Sequence, residues 1–357
     1  MAIRTIPVEN NASWLQYISS RLTQAGCHCT IVPSADGRSD GLFARIGPQT
    51  RGGIVLSGHV DVVSTEGQDW TSDPFRLRRD GSRLVGRGAV DMKGFVACAI
   101  ATMEAAATTD LERPLYLALS ADEESTCQSA VTLAAHVATQ VPTPRGVLVG
   151  EPSMLRAVTA HKGSFTYEVD VTGRSAHASM PELGASATAL AARLICWIDD
   201  QSAPTFATDA TTHSVGTVRG GSANNIIAEH CRFEWDVRLA PQDDLTAIIR
   251  GFEQKAEDLT APLRDRVPEV RVALAQMARF PGFMTAGDAP FARECLGVSG
   301  TKADEKFAAG TEAGLFEEVG LPVIVMGPGN MAQAHTPDEF IEIAQLAGCM
   351  EQLRSFV

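Results

Sequence analysis

Carboxylate and imidazole side chains with the chemistry of metal ligands recur along most of this chain. Several follow short apolar segments, and the set comprises His59, Asp91, Glu123, Glu124, Glu151 and His335. Oxygen and nitrogen ligands without thiolate suit zinc, with cobalt and manganese as alternatives. The charges of two zinc ions would be neutralised by Asp91, Glu124, Glu151 and a bridging hydroxide. His59 and His335 would give each ion one nitrogen, so these residues predict a two-metal hydrolytic site.

Two closely spaced pairs refine this prediction. His59 and Asp61 are two residues apart, so both side chains face the same side of an extended segment. Asp61 can then accept the second imidazole proton and fix the tautomer that binds metal. Glu123 and Glu124 are adjacent, so one can bind a metal while the other faces the reacting water. The alternative interpretation of this acidic pair is a solvated helix start.

The apolar segments before these residues predict a buried parallel sheet. Strands are predicted at 53–57, 115–120, 146–149 and 322–326, with helices at 95–107 and 130–140. Continuous apolar strands are buried on both faces, as in α/β proteins. Because open α/β sheets bind ligands beyond the carboxyl ends of their strands, His59, Glu123 and Glu151 are expected to meet there.

Residues 163–274 follow a different pattern. Strands at 165–171, 214–219, 226–239 and 270–274 and helices at 185–199 and 245–259 give the order βαββαβ, which is typical of a ferredoxin-like unit. The fourth buried strand of the α/β sheet comes after this unit. We therefore predict a discontinuous catalytic domain, residues 1–162 and 275–357, into which residues 163–274 are inserted.

Composition argues against several classes of partner. The formal net charge of −13 is dispersed and repels phosphate and anionic lipid, which argues against nucleic-acid and membrane partners. The insert also lacks the clustered aromatic and basic residues that stack bases. Neither a membrane segment nor a secretion signal is evident. The eight cysteines lack paired spacing, which favours a reducing cytoplasm.

Ordered motifs connect the candidate residues to a known family. They are Ser57–Asp61, Gly86–Gly94, Asp122–Glu124, Gly150–Ser153, Gly173–Ser179 and Ala334–Glu339. In this order they resemble the motif set of the co-catalytic zinc amidohydrolases, which include acetylornithine deacetylase, succinyl-diaminopimelate desuccinylase, carboxypeptidase G and aminoacylase. Residues 310–316 and 327–335 resemble the acetylornithine deacetylase branch most closely.

The resemblance implies a role for each metal-site residue. His59 and Glu151 would bind one zinc, Glu124 and His335 the other, and Asp91 would bridge the two ions. The same resemblance implies a cis peptide bond after Asp91. Glu123 would be the general base that takes a proton from the bridging water and returns it to the leaving amine.

The resemblance also implies a zinc-peptidase-like catalytic domain and a lid formed by residues 163–274, through which the chain would form a homodimer. His177 is similar to a family histidine that reaches across the dimer to donate to the tetrahedral oxyanion; a surface histidine is the alternative. Asn225 and Arg238 would meet the substrate. Arg238 could bind a carboxylate bidentately, or could form an edge-strand salt bridge instead. Lys162 and Gly163 resemble the hinge between the domains.

Glu312 carries our specificity hypothesis. It lies in a loop of small residues with Gly310 and Thr311, which we also expect at the substrate pocket. A carboxylate there would attract the δ-ammonium group of ornithine. The alternative is a carboxylate at a helix N-terminus, stabilised by the helix dipole.

Several positions depart from the family pattern without removing a ligand. The chain would lack most of the first helix, and the other departures are Ser64, Ser125, Thr126 and Ala228. The predicted substrate is a small N-acyl amino acid, N-acetyl-L-ornithine before N-acetylcitrulline, succinyl-diaminopimelate or a dipeptide. A non-catalytic family member is the alternative from another class, and the intact Glu123 argues against it.

Overall fold

The computed structural model describes residues 3–6, 12–35, 37, 39–202, 210–302, 306–307 and 310–357. The chain forms two compact units, residues 1–161 with 283–357, and residues 162–282. The predicted return to the first domain at residue 275 falls inside a strand that runs from Arg271 to Phe280. The inserted unit therefore continues to Gly282.

The described residues form the following strands and helices. The strands are β1 His28–Val32, β2 Gly41–Ile46, β3 Ile54–His59, β4 Arg78–Asp80, β5 Arg83–Val85, β6 Leu115–Ser120, β7 Gly146–Pro152, β8 Ala160–His161, β9 Gly163–Thr172, β10 Ala176–His177, β11 Thr212–Gly220, β12 Ile226–Ile227, β13 His230–Leu239, β14 Arg271–Phe280, β15 Phe283–Met284, β16 Lys306–Phe307, β17 Val323–Gly327 and β18 Phe340–Glu342. The helices are α1 Ala12–Gln24, α2 Lys93–Ala106, α3 Gln128–Gln140, α4 Ala187–Gln201, α5 Leu245–Arg264, α6 Pro290–Ser299, α7 Ala313–Glu318 and α8 Ile343–Arg354.

The first unit is built on a mixed sheet with the strand order β1-β2-β6-β3-β7-β17. Strands β6, β3, β7 and β17 pair in parallel, whereas β2 is antiparallel to both of its neighbours. The four parallel strands are buried at every residue, as their apolar sequences require. The predicted α/β class with a mostly parallel central sheet is thus confirmed.

Helices cover this sheet and complete its core. Phe95 and Met103 of α2 are fully buried in the same apolar cluster as Leu56, Leu117 and Leu148 of the sheet. Helix α1 buries four side chains at helical spacing, Trp14, Leu15, Ile18 and Leu22.

The second unit contains an antiparallel sheet with the order β11-β13-β9-β14. With α4 and α5 these strands follow the order βαββαβ along the chain. The single strand predicted at 226–239 is wrong, because β12 and β13 are separate. Ile226 and Ile227 leave the main sheet and pair with β10 instead. No helix in the described part of the chain has both the length and the apolar character needed to cross a membrane.

Candidate metal centre

The candidate ligands converge at the carboxyl ends of the parallel strands. His59 is the last residue of β3, and Glu151 lies near the end of the neighbouring strand β7. Glu123 and Glu124 follow β6 in the loop that precedes α3. Asp91 lies just before α2, after a loop rich in glycine, and its peptide bond to Met92 is cis. His335 arrives from the far end of the sequence, beyond β17.

The two oxygens of Asp91 face two different imidazoles. His59 Nε2 lies 3.0 Å from Asp91 Oδ1 and 3.4 Å from Glu151 Oε1. On the other side, His335 Nε2 lies 3.2 Å from Asp91 Oδ2 and 3.0 Å from Glu124 Oε1. The side chains thus form two nitrogen-and-oxygen sets that share Asp91. This is the pairing that the family resemblance implies for two ions and a bridging carboxylate.

Electrostatics supports a cationic occupant. Burial first, and the charge of Asp91 second, raise the pKa of Glu151 to about 7. Burial also raises the pKa of Glu123 and of Glu124. Carboxylates crowded at low dielectric repel one another, and a divalent cation would compensate their charges.

The pKa values of the two imidazoles are raised as well, but for the opposite reason, because their charged forms are stabilised. Hydrogen bonds with Asp91 and Glu124 raise the pKa of His335 to about 10. Burial lowers the pKa of His59, but hydrogen bonds with surrounding carboxylates outweigh it and leave this pKa well above its usual value. Protons therefore compete for the positions that cations would take, and the donor set fits two divalent ions.

Glu123 lies within the same cluster. Its side chain is buried, and ligand atoms of His59, Glu123 and Glu151 lie within 4.8 Å of one another. A second group with the same spread joins His59, Asp91 and Glu124. Glu123 is thus near the atoms that would hold a cation.

Asp61 connects the buried histidine to the acidic loop. The closest acceptor for His59 Nδ1 is the backbone oxygen of Asp61, at 3.0 Å, whereas the nearer carboxylate oxygen lies at 3.4 Å. That carboxylate accepts hydrogen bonds from the backbone N–H groups of Glu123 and Glu124, at 3.1 and 2.9 Å. Asp61 therefore orients the imidazole mainly through its backbone and positions the acidic pair through its side chain.

Asp122 shapes the same loop from the other side, a role that the sequence did not reveal. Its carboxylate accepts the backbone N–H groups of Gln128 and Ser129, at 2.8 and 3.0 Å, and the hydroxyl of Thr126. Glu123 is buried and the Glu124 side chain is only 8% exposed, so the alternative of a solvated helix start for this pair is wrong. Thr126, one of the departures from the family pattern, is bonded within the loop.

The structure contradicts the specificity hypothesis for Glu312. Its side chain is 1% exposed, and its two oxygens accept hydrogen bonds from Ser57 Oγ at 2.6 Å and Ser120 Oγ at 2.7 Å. It is the N-cap residue of α7, so the helix-terminus alternative describes its position, although its side chain makes no capping bond. Glu312 instead connects β3 to β6 through the hydroxyls of Ser57 and Ser120, close to the strand ends that carry the metal-site residues.

The neighbours of Glu312 also differ from a pocket lining. Thr311 is fully buried, its Oγ1 lies 2.8 Å from His161 Nε2, and it accepts the backbone N–H of Ala313. The Thr311 hydroxyl is therefore engaged inside the fold rather than available to a substrate. Gly310 is half-buried and has no side chain to offer.

His177 and Asn225 come together in the second unit. Strand β10, which ends at His177, pairs with β12, and Ala178 donates its backbone N–H to the Asn225 carbonyl at 2.9 Å. His177 is exposed, and its Nδ1 accepts the backbone N–H of Ser179 at 3.2 Å. Neutral His177 therefore carries its proton on Nε2, where it can donate outward.

Arg238 is paired within its own strand. Its Nε donates to Asp236 Oδ1 at 2.8 Å, and both side chains are partly exposed. The predicted salt bridge is thus present, but the prediction that it lies on an edge strand is wrong, because β13 lies between β11 and β9. The predicted hinge residues Lys162 and Gly163 begin the second unit.

Arg87, Glu339 and Gln68, for which the sequence indicates no role, contact the loops that carry the proposed metal ligands. Arg87 and Glu339 form a buried ion pair, with Arg87 Nη1 2.7 Å from Glu339 Oε2. Gln68 Nε2 donates to the backbone carbonyl of His335 at 2.9 Å. Arg87 and Glu339 belong to the ordered motifs, but only the fold reveals that they contact each other.

This fold and this site define a class of metal-dependent hydrolases. The model of the peptidase family M20/M25/M40 matches residues 55–357, and the chain belongs to this family. It is accordingly a hydrolytic enzyme that acts on amide bonds, in a family whose members depend on metal. The non-catalytic alternative is set aside.

One protein of similar sequence and two solved structures show what this chain is similar to. Acetylornithine deacetylase of Proteus mirabilis (strain HI4320) is 32% identical over 345 residues, which cover 94% of this chain and 87% of that protein. The aminopeptidase PepT of Bacillus cereus ATCC 10987 has the same fold, with a TM-score of 0.79 at 17% identity over 98% of this chain and 92% of that one. The Bacillus subtilis YXEP protein, a dinuclear metal-binding peptidase, has a TM-score of 0.72 at 16% identity over 99% and 93%.

Proposed function

We propose that this enzyme hydrolyses the N-acyl amide of a small amino acid, in the first place N-acetyl-L-ornithine, to release acetate and L-ornithine. The observation that carries the proposal is the shared Asp91, whose two oxygens face His59 on one side and His335 on the other. The extended similarity to acetylornithine deacetylases favours this substrate. Two divalent ions are proposed, zinc first, with cobalt or manganese as alternatives.

The metal ligands are proposed as two pairs that flank Asp91. His59 and Glu151 would hold one ion, and Glu124 and His335 would hold the other. When bound, such ions polarise the scissile carbonyl and lower the pKa of the attacking water. The protein fixes the ligands through strand ends and through the bonds that Asp61 makes to the acidic loop.

Glu123 is the proposed general base. Its backbone is held by Asp61, and burial raises the pKa of its carboxyl, which suits a group that must both take and release a proton. Water oxygen forms a bond to the acyl carbon while Glu123 receives a water proton. The carbon–nitrogen bond then breaks, and Glu123 returns the proton to the leaving nitrogen. The second water proton passes from the new carboxyl group to the amine, so the products are a carboxylate and a protonated amine.

The inserted unit is proposed to complete the site in a homodimer formed through residues 163–274. His177 is proposed as the donor to the oxyanion, and its Nε2 proton supports that role. Asn225, which neighbours it, is proposed as a substrate contact. Arg238 would have to exchange Asp236 for a substrate carboxylate.

One structural observation keeps a second candidate substrate class open. The burial of Glu312 removes the sequence argument for selective binding of a cationic side chain. A neutral N-acyl amino acid, such as N-acetylcitrulline, is therefore the second candidate.

We also propose a cytoplasmic location and a role in arginine biosynthesis. All eight cysteines, which lie in the described part of the chain, are free thiols, as suits a reducing compartment.

A substrate panel tests this proposal. Metal-free protein is reconstituted with Zn²⁺ or Co²⁺ and assayed with N-acetyl, N-succinyl and N-formyl amino acids. We expect metal-dependent release of acetate with the highest kcat/KM for N-acetylornithine. A preference for a neutral or succinylated compound would reject this substrate and leave the amide chemistry standing. Turnover that does not depend on metal would reject the mechanism.

A further inference from the structure

The carboxylate of Glu339 holds the loop that carries Asp91. It accepts hydrogen bonds from the backbone N–H groups of Gly88 at 3.0 Å, Val90 at 2.9 Å and Asp91 at 3.1 Å. Glu339 is completely buried. The conformation of the backbone just before the shared carboxylate is therefore fixed by a side chain from near the end of the sequence.

Arg87 connects this carboxylate to the loop that carries His335. Its Nη1 donates to Glu339 Oε2 at 2.7 Å and to the backbone carbonyl of Thr336 at 3.4 Å. The guanidinium carbon also lies 5.1 Å from the centre of the Trp70 ring. One buried cation thus contacts both metal-site loops.

Gln68 completes the connection. Its Nε2 donates to the His335 carbonyl at 2.9 Å, while its Oε1 accepts hydrogen bonds from Arg87 Nη2 and, at 3.0 Å, from Trp70 Nε1. Two consecutive carbonyl groups, those of His335 and Thr336, are therefore held by this network. We call Gln68, Arg87 and Glu339 the clamp.

The two imidazoles need the clamp to different degrees. The side chain of His59 is 1% exposed at the end of a central strand, whereas that of His335 is 51% exposed on a loop. His335 also has a φ of 61°, a left-handed conformation that non-glycine residues seldom adopt without supporting contacts. His59 is held by the sheet, but His335 is held through its carbonyl.

We propose that the clamp sets the separation of Asp91 and His335 and so determines the affinity of one metal position, that of His335 and Glu124. The inference rests on the proposed two-metal site and names positioning residues for it. Outer partners of metal ligands typically change metal affinity by about 10- to 100-fold when they are replaced. Gln68 is the best place to test the clamp, because it is only half-buried and can be replaced without opening the core.

The experiment measures Co²⁺ binding to metal-free protein by calorimetry and by the absorption spectrum of the bound ion. The parent protein is expected to bind two ions. Gln68→Ala should weaken one binding event by roughly 10-fold or more and leave the other within about twofold. Gln68→Glu, which keeps an acceptor for Arg87 but loses the donor to His335, should weaken the same event.

His335→Ala identifies which event is affected. It should abolish one event, and adding Gln68→Ala to it should change the remaining affinity by less than about twofold. Gln24→Ala, the same truncation at an exposed position of α1, should leave both events unchanged.

Two results would overturn the proposal separately. If the parent binds two ions and Gln68→Ala leaves both affinities unchanged, or weakens both equally, the clamp is rejected and the two-metal site stands. If the parent binds a single ion, the two-metal site is rejected together with the clamp. Unfolding curves of the metal-free variants that match the parent would show that the fold is intact.

Discussion

Arg87 and Glu339 form an ion pair in the interior, with side chains that are 1% and 0% exposed and only 2.7 Å between the charged atoms. Their separation of 252 residues along the sequence means that the pair joins the loop before α2 to the segment before β18. This pair holds together two segments that carry proposed metal ligands, although neither residue is itself among those ligands.

Removal of Arg87 is expected to destabilise the protein strongly. Arg87→Met would leave Glu339 buried without its cation, which typically costs about 3–5 kcal/mol of unfolding free energy. Urea unfolding of the metal-free protein measures this loss. The control is Arg78→Met, which breaks a partly exposed pair with Asp80 and should cost less than about 1 kcal/mol. Equal losses for the two variants would refute the structural role of the buried pair.

Glu123→Gln is expected to reduce kcat by about 10²- to 10⁴-fold, because the amide cannot take and return a proton. Metal content and the unfolding midpoint should stay close to those of the parent. Steady-state kinetics with metal analysis of the same samples separates these effects. A variant that loses metal in proportion to activity would make Glu123 a ligand, and one with parental kcat would remove it from the mechanism.

Glu312→Gln is expected to change activity on cationic and neutral substrates equally. Ser57 and Ser120 can still pair with the amide, because one hydroxyl can donate to its oxygen and the other can accept from its nitrogen. The ratio of kcat/KM for N-acetylornithine to that for a neutral N-acetyl amino acid should therefore stay within about twofold. A tenfold change in this ratio would need a free-energy difference of about 1.4 kcal/mol between the two substrates. A selective rise in KM for the cationic substrate would restore the specificity hypothesis.

The stability of the metal-free protein is expected to fall as pH rises. The pKa of Glu151 increases from 4.5 to about 7, and that of His335 from 6.5 to about 10. Each group therefore holds its proton more tightly in the folded than in the unfolded chain. Their stabilising contributions are complete below the unfolded pKa values and are lost as pH passes about 7 and then about 10.

Thermal unfolding between pH 4.5 and 10 measures this decline. In Glu151→Gln the decline below pH 7 should be smaller, because one of the two groups is gone. Excess Zn²⁺ should stabilise the parent increasingly as pH rises towards neutrality, because its ligands must lose their protons to bind. Metal-free stability that increased over the whole range would contradict the electrostatic description.

The sheet and the candidate ligands could be predicted because their signals are local. A strand such as β6 is apolar from Leu115 to Leu119 and is followed within a few residues by the acidic pair, so both its burial and its functional end are visible in the sequence. The ordered motifs supplied the connection between His59 and His335, which no local pattern provides.

The remaining features depend on side-chain directions and distant contacts. Glu312 lies in the expected loop, but its carboxylate turns into the fold because Ser57 and Ser120 supply donors there. Gln68 is separated from His335 by 267 residues, so their contact leaves no trace in spacing. Ile226 and Ile227 are β-branched and stand just before β13, so residue type alone did not reveal the break between the two strands.

The most direct test of the two-metal site is anomalous X-ray diffraction at the zinc absorption edge from crystals grown with Zn²⁺. The two-metal site predicts two anomalous peaks about 3.5–4 Å apart on the two sides of Asp91. One peak should lie beside His59 and Glu151, and the other beside His335 and Glu124. A single peak, or two peaks that do not share Asp91, would contradict it.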